Sequence, residues 1–421
     1  MSAKRILPNG DEIFPLGIGA MRLPTKNNVI DKDKAREFIF YAIDNGVNFI
    51  DTAYSYHGGA SETFLGEILQ ETAPDGVKYR DKVRISTKLP SWMVHSKDQM
   101  EFYLNKQLEK LQVDYIDYYF IHNVNLDSLS KLESISLFEF FDESKASGKI
   151  KNAGFSYHGA REEFIPAVDM YDWDMTLVQF NYLDNRVQIS RKEIDYAASK
   201  GIAVFIMEPL KGGILADNLP AEADHIFKEA DSSRSPVDWA LSWVLNHENV
   251  SCVLSGVGDL NQTRENIEIA GRVPPNSLTD DELKTIRKAK SIIRSLMKVG
   301  CTSCGYCLPC PQGINIPNCF SIYNNKYLFE EEKGGMLSRA QLNYFSMLSG
   351  LFNKPSNAGL CNECRQCVSL CPQRIDIPKE LKQVSKTFEF PGFKYFILFI
   401  KRFGLPLTNF ATKFFNFFKA I

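Results

Sequence analysis

Short apolar runs alternate with longer amphipathic stretches from residue 16 to about residue 270. The runs LGIGA (16–20), VNFI (47–50), VRIST (83–87), YIDYYFI (115–121), KNAGFS (151–156), MTLVQF (175–180), IAVFIM (202–207) and VSCVLS (250–255) read as short buried strands. The stretches between them carry helical spacing, as in SETFLGEILQ (61–70). Eight strands with helices between them predict an α/β fold, a parallel (β/α)₈ TIM barrel, although counting alone also fits an open sheet. A hairpin, RILPNGDEIF (5–14), precedes the first strand, with Asn9-Gly10 as its turn. Ser235-Pro236 supplies an N-cap followed by proline in the first turn, and Thr279 with Glu282 forms a capping box.

The barrel should be complete near Gly271, with RVPPNS as a linker. The helix opened by Thr279 runs to Gly300, where the pattern changes to CTSCGYCLPCPQGINIP (301–317). CNECRQCVSLCPQRIDIP (361–378) repeats it: three cysteines two residues apart, a fourth before proline, then an I-x-I-P tail. Residues 321–360 read as an insertion between the two halves. The expected domains are therefore 1–275 for the barrel, 276–390 for a C-terminal helical, ferredoxin-like cysteine domain, and 391–421 for a Phe- and Lys-rich amphipathic tail.

Composition narrows the function classes. A chain of 421 residues is long enough for two or three domains, and a net charge of −2 gives no electrostatic case for nucleic acid. The amino terminus lacks the apolar core of a signal peptide, and no apolar run approaches the ~18 residues a membrane span needs. Of the ten cysteines, nine lie beyond residue 300, eight of them in the tight repeats. Such clustering favours metal in a reducing compartment over disulfides, and a cytoplasmic location is the expectation.

Three strands end in chemistry-bearing residues. DTAYSYHGGASE (51–62) follows VNFI; ISTK ends at Lys88; DYIDYYFIH ends at His122. In a barrel all strand C-termini share one face, so Asp51, Tyr56, Lys88 and His122 should meet there. A tyrosine hydroxyl, with a pKa of about 10, is a poor acid near neutrality. A nearby ammonium such as Lys88 favours its anion, and Asp51 can hold that lysine charged and in place. His122 can donate a hydrogen bond to the same oxygen that such a tyrosine would protonate. Trp92 and His158, on loops at that face, are as readily ordinary packed side chains as pocket-shaping ones; Tyr54 and His57 flank the site.

DTA-x-x-Y-x-x-G-x-S-E, then strand-T-K, then D-Y-I-D-x-Y-x-I-H, resembles the aldo-keto reductase superfamily over roughly residues 5 to 272. The resemblance implies a carbonyl reductase with Tyr56 as proton donor, Lys88 and Asp51 as its tuners, and His122 as substrate orienter. It further implies a nicotinamide site formed by Ser156, Gln179, Met207, Gly256, Gln262 and Asn266. Here the chain departs from the family: Ser156 is followed by Tyr157 where Asn is usual, and Met207-Glu208 stands where Tyr-Ser is common. Glu208 would bring a negative charge near a pyrophosphate. SGVGDLNQTREN (255–266) lacks the Lys or Arg expected on a 2′-phosphate, and Arg264 reads as a solvated helix residue. NADH is thus favoured over NADPH, with a flavin in the same pocket as the alternative.

Cys361, Cys364, Cys367 and Cys371-Pro match the bacterial ferredoxin run in full; Cys301, Cys304, Cys307 and Cys310-Pro have a last gap one residue shorter. This part resembles a two-cluster ferredoxin holding two [4Fe-4S] clusters. That resemblance implies exchange of the fourth ligands, Cys310 joining 361, 364 and 367 while Cys371 joins 301, 304 and 307. Zinc in two isolated four-cysteine sites is the competing reading. Cys252 reads as barrel core, and Cys319 as a reserve ligand should the short gap remove Cys310.

Phe393, Phe396, Phe399 and Phe403 recur at helical spacing, with Lys394, Lys401 and Arg402 between them. Such a segment either packs over the cysteine domain or lies on a membrane surface or protein partner. Taken together, the residues predict a carbonyl-reducing oxidoreductase with electrons relayed through two clusters to or from a redox partner such as ferredoxin. The alternatives are a nicotinamide-dependent reductase with purely structural clusters, and a non-catalytic electron-transfer or sensor subunit.

Overall fold

The structure, a computed structural model, describes residues 4–27, 29–186, 188–216, 219–329, 339–351 and 354–403. The end of the Phe/Lys-rich tail, from residue 404, lies outside the described residues, as does part of the insertion between the cysteine repeats. The chain divides into two compact units, residues 1–291 and 292–421.

In the first unit eight parallel strands close into a barrel. They are β1 (Leu16–Gly19), β2 (Phe49–Asp51), β3 (Arg84–Leu89), β4 (Ile116–Val124), β5 (Ile150–Tyr157), β6 (Met175–Gln179), β7 (Ala203–Met207) and β8 (Cys252–Ser255). Each pairs with its sequence neighbours, and β8 pairs with β1 to close the ring. Helix α1 (Lys32–Asp44) follows β1, α2 (Ala60–Leu69) follows β2, and α3 (Lys97–Leu111) follows β3. Next come α4 (Leu126–Glu133) and α5 (Leu137–Ala146), then α6 (Arg161–Val168), α7 (Arg191–Ser199), α8 (Ala221–Ala230), α9 (Pro236–Leu245) and α10 (Leu260–Arg272). The sequence-predicted (β/α)₈ barrel is thus the observed one, built from the eight expected runs.

Its interior is filled by Phe49, Tyr118, Phe120, Leu177, Phe205, Cys252 and Leu254, all buried, so Cys252 is a core thiol. The amino-terminal hairpin pairs Arg5–Ile6 with Glu12–Ile13 and adds Leu7 and Ile13 to this core. Its turn residue Asn9 bonds Tyr118 and Asn152, and Asp11 pairs with Arg84 at 3.0 Å, fastening the hairpin to the strands. A second hairpin, Thr25–Lys26 with Val29–Ile30, is too short to show a strand signal in sequence.

Both predicted caps form. Ser235 Oγ accepts from the Asp238 N–H, and Glu282 N–H donates to Thr279 Oγ1 while Glu282 accepts from the Thr279 N–H. The box opens α11 (Asp280–Leu296).

The second unit is helical: α12 (Ile316–Phe329), α13 (Arg339–Leu348), α14 (Ile377–Phe388) and α15 (Phe393–Phe403). Phe320, Tyr344, Leu381, Val384 and Phe388 form its core, against which most of the repeat cysteines pack. Asn324, buried on α12, donates to Val299 O and accepts from the Lys298 and Val299 N–H groups, fixing the chain as it enters the first cysteine run. Ahead of the second run, Gly359 N–H and Tyr344 O–H both donate to Glu389. Among the described residues no helix is long and apolar enough to cross a membrane.

Candidate functional site

Side chains alternate along a strand, so a residue two positions beyond an interior one points the same way. Phe49, Phe120, Leu177 and Phe205 fill the barrel. Asp51, His122, Gln179 and Met207 are the next inward positions at the C-terminal ends of the same strands. Strand parity therefore gathers most of the expected site into one layer over the core.

Within that layer Lys88 Nζ donates to Asp51 Oδ1, Asp51 Oδ2 and Thr52 O, each at 2.7 Å. Three acceptors match the three hydrogens of an ammonium. Ser86, two residues before Lys88 on β3, donates to Asp51 at 2.6 Å and fixes the carboxylate. Burial pulls the lysine pKa down, and Asp51 opposes it. The ammonium lies 4.9 Å from the centre of the Tyr56 ring. The Tyr56 and His122 rings meet edge-on at 5.8 Å, and Trp92 lies 5.2 Å from His122. All four tetrad residues are thus together, and Trp92, 47% exposed, stands at the open side.

The loop carrying Tyr56 turns sharply into α2. His57, Gly58 and Gly59 have φ of 52°, 65° and 92°, a left-handed run that glycine adopts without strain. Behind it, Ser61 and Glu62 are fully buried. Thr87 and Gln107 both donate to Glu62, and Ser61 bonds Thr52, which carries a carbonyl acceptor for Lys88. The Ser-Glu pair of the motif thus braces β2 against β3 and α3.

His122 is held well below the ordinary histidine range, first by burial, then by the Lys88 charge, with neighbouring His158 acting in the same direction. Burial and Lys88 push His158 down to about 3. Both imidazoles therefore stay neutral through the mildly acidic range. A neutral His122 donor predicts a kcat/KM profile without an acid limb near pH 6.5, measured from pH 8 to pH 5. A limb centred there would show that His122 titrates as an ordinary imidazole.

On the far side of the mouth, Ser156 and Gln179 are buried, and the Gln179 amide donates to Asp184 at 3.0 Å. Asp184 in turn pairs with buried Lys211. Tyr157, one residue past Ser156, points the other way. Its ring packs on Phe164 of α6, and its hydroxyl donates to Ala160 O. The residue standing in place of the usual Asn is thus turned away from the mouth.

Glu208 does not stand alone. Arg22, from the loop after β1, reaches its carboxylate at 3.1 Å, and the Arg22 stem lies over Gly256. Gln262 accepts from the Gly258 N–H, and Asn266 donates to Ser255 Oγ, so both shape the loop after β8. Asp259 caps α10, accepting from the Asn261 and Gln262 N–H groups. Arg264 is exposed on α10, 5.1 Å from the Tyr41 ring. Sequence reasoning missed Arg22, Ser86 and the Glu62 network; for Glu62, the Ser-Glu of the opening motif was the available signal.

In the second unit the two cysteine runs share a backbone conformation. Ser303 and Gly305 flank Cys304 with positive φ, as Glu363 and Arg365 flank Cys364, and Gly313 and Arg374 each follow the fourth cysteine by three residues with positive φ. Such turns direct successive N–H groups inward and suit a cluster's negative charge; Ser303 N–H already donates to Cys301 Sγ at 3.3 Å. The Cys301 thiol is raised to about 11, chiefly by burial, with neighbouring Cys304 and Cys371 acting in the same direction and the Ser303 N–H against it. Cys307 is pushed to about 12 by burial, with Cys304, Cys301 and Cys371 around it. Cys367, raised to about 11 by burial, has Cys361, Cys310 and Cys364 as neighbours. Cys319 lies in the unit's apolar core, its thiol toward Ser356 O.

Residues 15–291 match the Aldo/keto reductase family, and residues 300–384 match the 4Fe-4S dicluster domain. Among curated relatives, the uncharacterized oxidoreductase YqkF of Bacillus subtilis is 26% identical over 309 residues, covering 68% of this chain and 95% of its own length. The NADH-specific methylglyoxal reductase of Escherichia coli is 23% identical over 293 residues, covering 60% and 88%. Among solved structures, the holo form of the aldo-keto reductase AKR11C1 from Bacillus halodurans is similar with a TM-score of 0.57 at 24% identity, covering 69% of this chain and 96% of its own. An aldo-keto reductase from Klebsiella pneumoniae in complex with NADPH has a TM-score of 0.55 at 20% identity, covering 68% and 95%.

Proposed function

The chain belongs to the aldo/keto reductase family and carries a 4Fe-4S dicluster domain, and from that premise we propose that it reduces a small-molecule carbonyl at Tyr56 and exchanges electrons through two [4Fe-4S] clusters. The observation that carries the reading is the buried Lys88–Asp51 pair beneath the Tyr56 ring, beside a neutral His122.

A nicotinamide across the ends of β5 to β8 would supply the hydride. Ser156 and Gln179 offer polar groups for its carboxamide, Met207 an apolar surface for the ring, and Gly256, Gln262 and Asn266 the loop for its adenosine end. His122 donates a hydrogen bond to the carbonyl oxygen and orients it. As the carbonyl carbon gains its new C–H bond, the Tyr56 O–H breaks and its proton passes to that oxygen. The phenolate left behind faces the Lys88 ammonium, which Asp51 keeps charged.

The cysteine unit supports two clusters with exchanged fourth ligands, since Cys371 neighbours the first run and Cys310 the second. Bound clusters would supply one-electron transfer. Hydride carries two electrons, so direct coupling needs a two-to-one converter such as a flavin. A small redox protein such as ferredoxin is the class of partner that such clusters serve. An absorption spectrum of anaerobically purified protein, before and after NADH, tests the relay. Cluster bleaching or flavin bands support it. Turnover without bleaching makes the clusters structural, and no turnover on any carbonyl leaves an electron-transfer or sensor subunit.

The nucleotide is expected to be NADH. The Asp259 carboxylate occupies the first N–H donors of α10, so a 2′-phosphate would meet a like charge instead of open donors. Arg22 is engaged by Glu208, and Arg264 lies against Tyr41. Both NADH-specific and NADPH-bound relatives occur, so the family alone does not decide. Gly258 has room for a side chain, the nearest atom to an added Cβ being Gln262 Oε1 at 3.9 Å. Gly258→Arg is expected to shift the preference toward NADPH by about tenfold, one charge contact of ~1.4 kcal/mol. Calorimetry decides: tighter NADPH binding by the unmodified chain overturns this reading.

A further inference from the structure

The helix α15 has two unlike faces. At about 100° per residue, Phe393 and Ile397 fall on one side, where they are 6% and 5% exposed within the core of the second unit. Phe393 packs on Phe345 of α13 at 5.3 Å, which fixes the helix to its unit. The remaining circumference carries Tyr395, Phe396, Leu398 and Phe399, exposed by 76, 42, 52 and 61%. One helix therefore turns four large apolar side chains outward from a site held by two others. A contiguous face of this kind marks an interaction surface rather than ordinary surface scatter.

Charge says what covers it. Lys394 and Lys401 are seven residues apart, hence on one side of the helix, and both are exposed at the edge of the apolar arc. From residue 390 to residue 421 the sequence has five cations, Lys394, Lys401, Arg402, Lys413 and Lys419, and no acid. The last acid before them, Glu389, is turned inward by Tyr344 and Gly359. The eleven described residues of this helix rise only about 16 Å, roughly half the hydrocarbon thickness and too little to cross a bilayer. It has the composition of a helix lying in the interface: apolar side chains among acyl chains, cations beside phosphates.

We propose that the outer face of α15 docks the protein on an anionic membrane, with Tyr395, Phe396, Leu398 and Phe399 inserted and Lys394 and Lys401 against lipid phosphates. A mixed-charge protein partner would not call for cations alone over so long a stretch.

The test uses full-length, cluster-loaded protein and phosphatidylcholine vesicles with or without phosphatidylglycerol. Flotation should recover the protein with the anionic vesicles, about tenfold less with neutral ones, and less again as salt is added. Tyr395→Glu with Phe399→Glu should abolish recovery while iron content and circular dichroism stay unchanged, because Phe393 and Ile397 remain as the packed face. Lys394→Glu with Lys401→Glu should weaken it on anionic vesicles. The proposal is overturned by absence of binding to either vesicle, or by the Tyr395/Phe399 variant binding as well as its parent. It is equally overturned if those two substitutions instead dissolve a dimer seen in lipid-free buffer, which would make the face a protein interface.

Discussion

Tyr56→Phe is expected to lower kcat for carbonyl reduction by about 10²–10⁴-fold, the usual contribution of a positioned general acid. The ring should keep its place, since its edge contact with His122 and its position over Lys88 do not need the hydroxyl. Folding, iron content and nucleotide affinity should therefore be unchanged, and the loss should appear in kcat rather than KM. Lys88→Met is a poorer probe of the same chemistry. It leaves the Asp51 carboxylate buried with its main partner gone, a change that typically costs about 3–5 kcal/mol. Activity lost in that variant could follow from a weakened barrel alone. Steady-state kinetics of Tyr56→Phe give the cleaner answer. A loss under about tenfold would remove Tyr56 from the acid role.

In the sequence the barrel strands are nearly continuous apolar runs, and the polar residue ending such a run has few places to go. Asp51 after VNFI, Lys88 after VRIST and His122 after YIDYYFI end on one face once the sheet is parallel. Parity was also open to reading. Ser156 and Tyr157 must point to opposite sides of β5, and the structure sends Tyr157 to Phe164. What local pattern cannot carry is pairing at a distance. Arg22 and Glu208 are 186 residues apart, and nothing near either announces the other. The same holds for the Glu62 network: the Ser-Glu of the opening motif marks the residue, but not that Thr87 and Gln107, 25 and 45 residues on, close over its carboxylate. The second unit divides similarly. The cysteine repeat shows the duplication outright, whereas the burial of Cys319 depends on how α12 packs.

The same repeat sets up an outcome that pairwise substitution can resolve. If the fourth ligands are exchanged, Cys301→Ala with Cys371→Ala strikes one cluster twice and should leave about four irons of about eight per chain. Cys361→Ala with Cys371→Ala strikes both clusters and should leave close to none. Unexchanged ligation inverts the two results, because Cys371 would then share a cluster with Cys361. The neighbourhood of the thiols supports exchange: Cys371 is a neighbour of Cys301 and Cys307, while Cys310 is a neighbour of Cys367. Cys310→Ala with Cys361→Ala is the mirror test, again expected to retain about four irons. Cys319→Ala should leave iron unchanged, since its thiol is directed to Ser356 O within the apolar core. Iron and sulfide analysis after anaerobic reconstitution is the measurement. Retention of about four irons by the Cys361/Cys371 pair, with almost none in the Cys301/Cys371 pair, would rule the exchange out. Stoichiometric zinc without visible absorption in the parent protein would remove the clusters, and with them the electron relay.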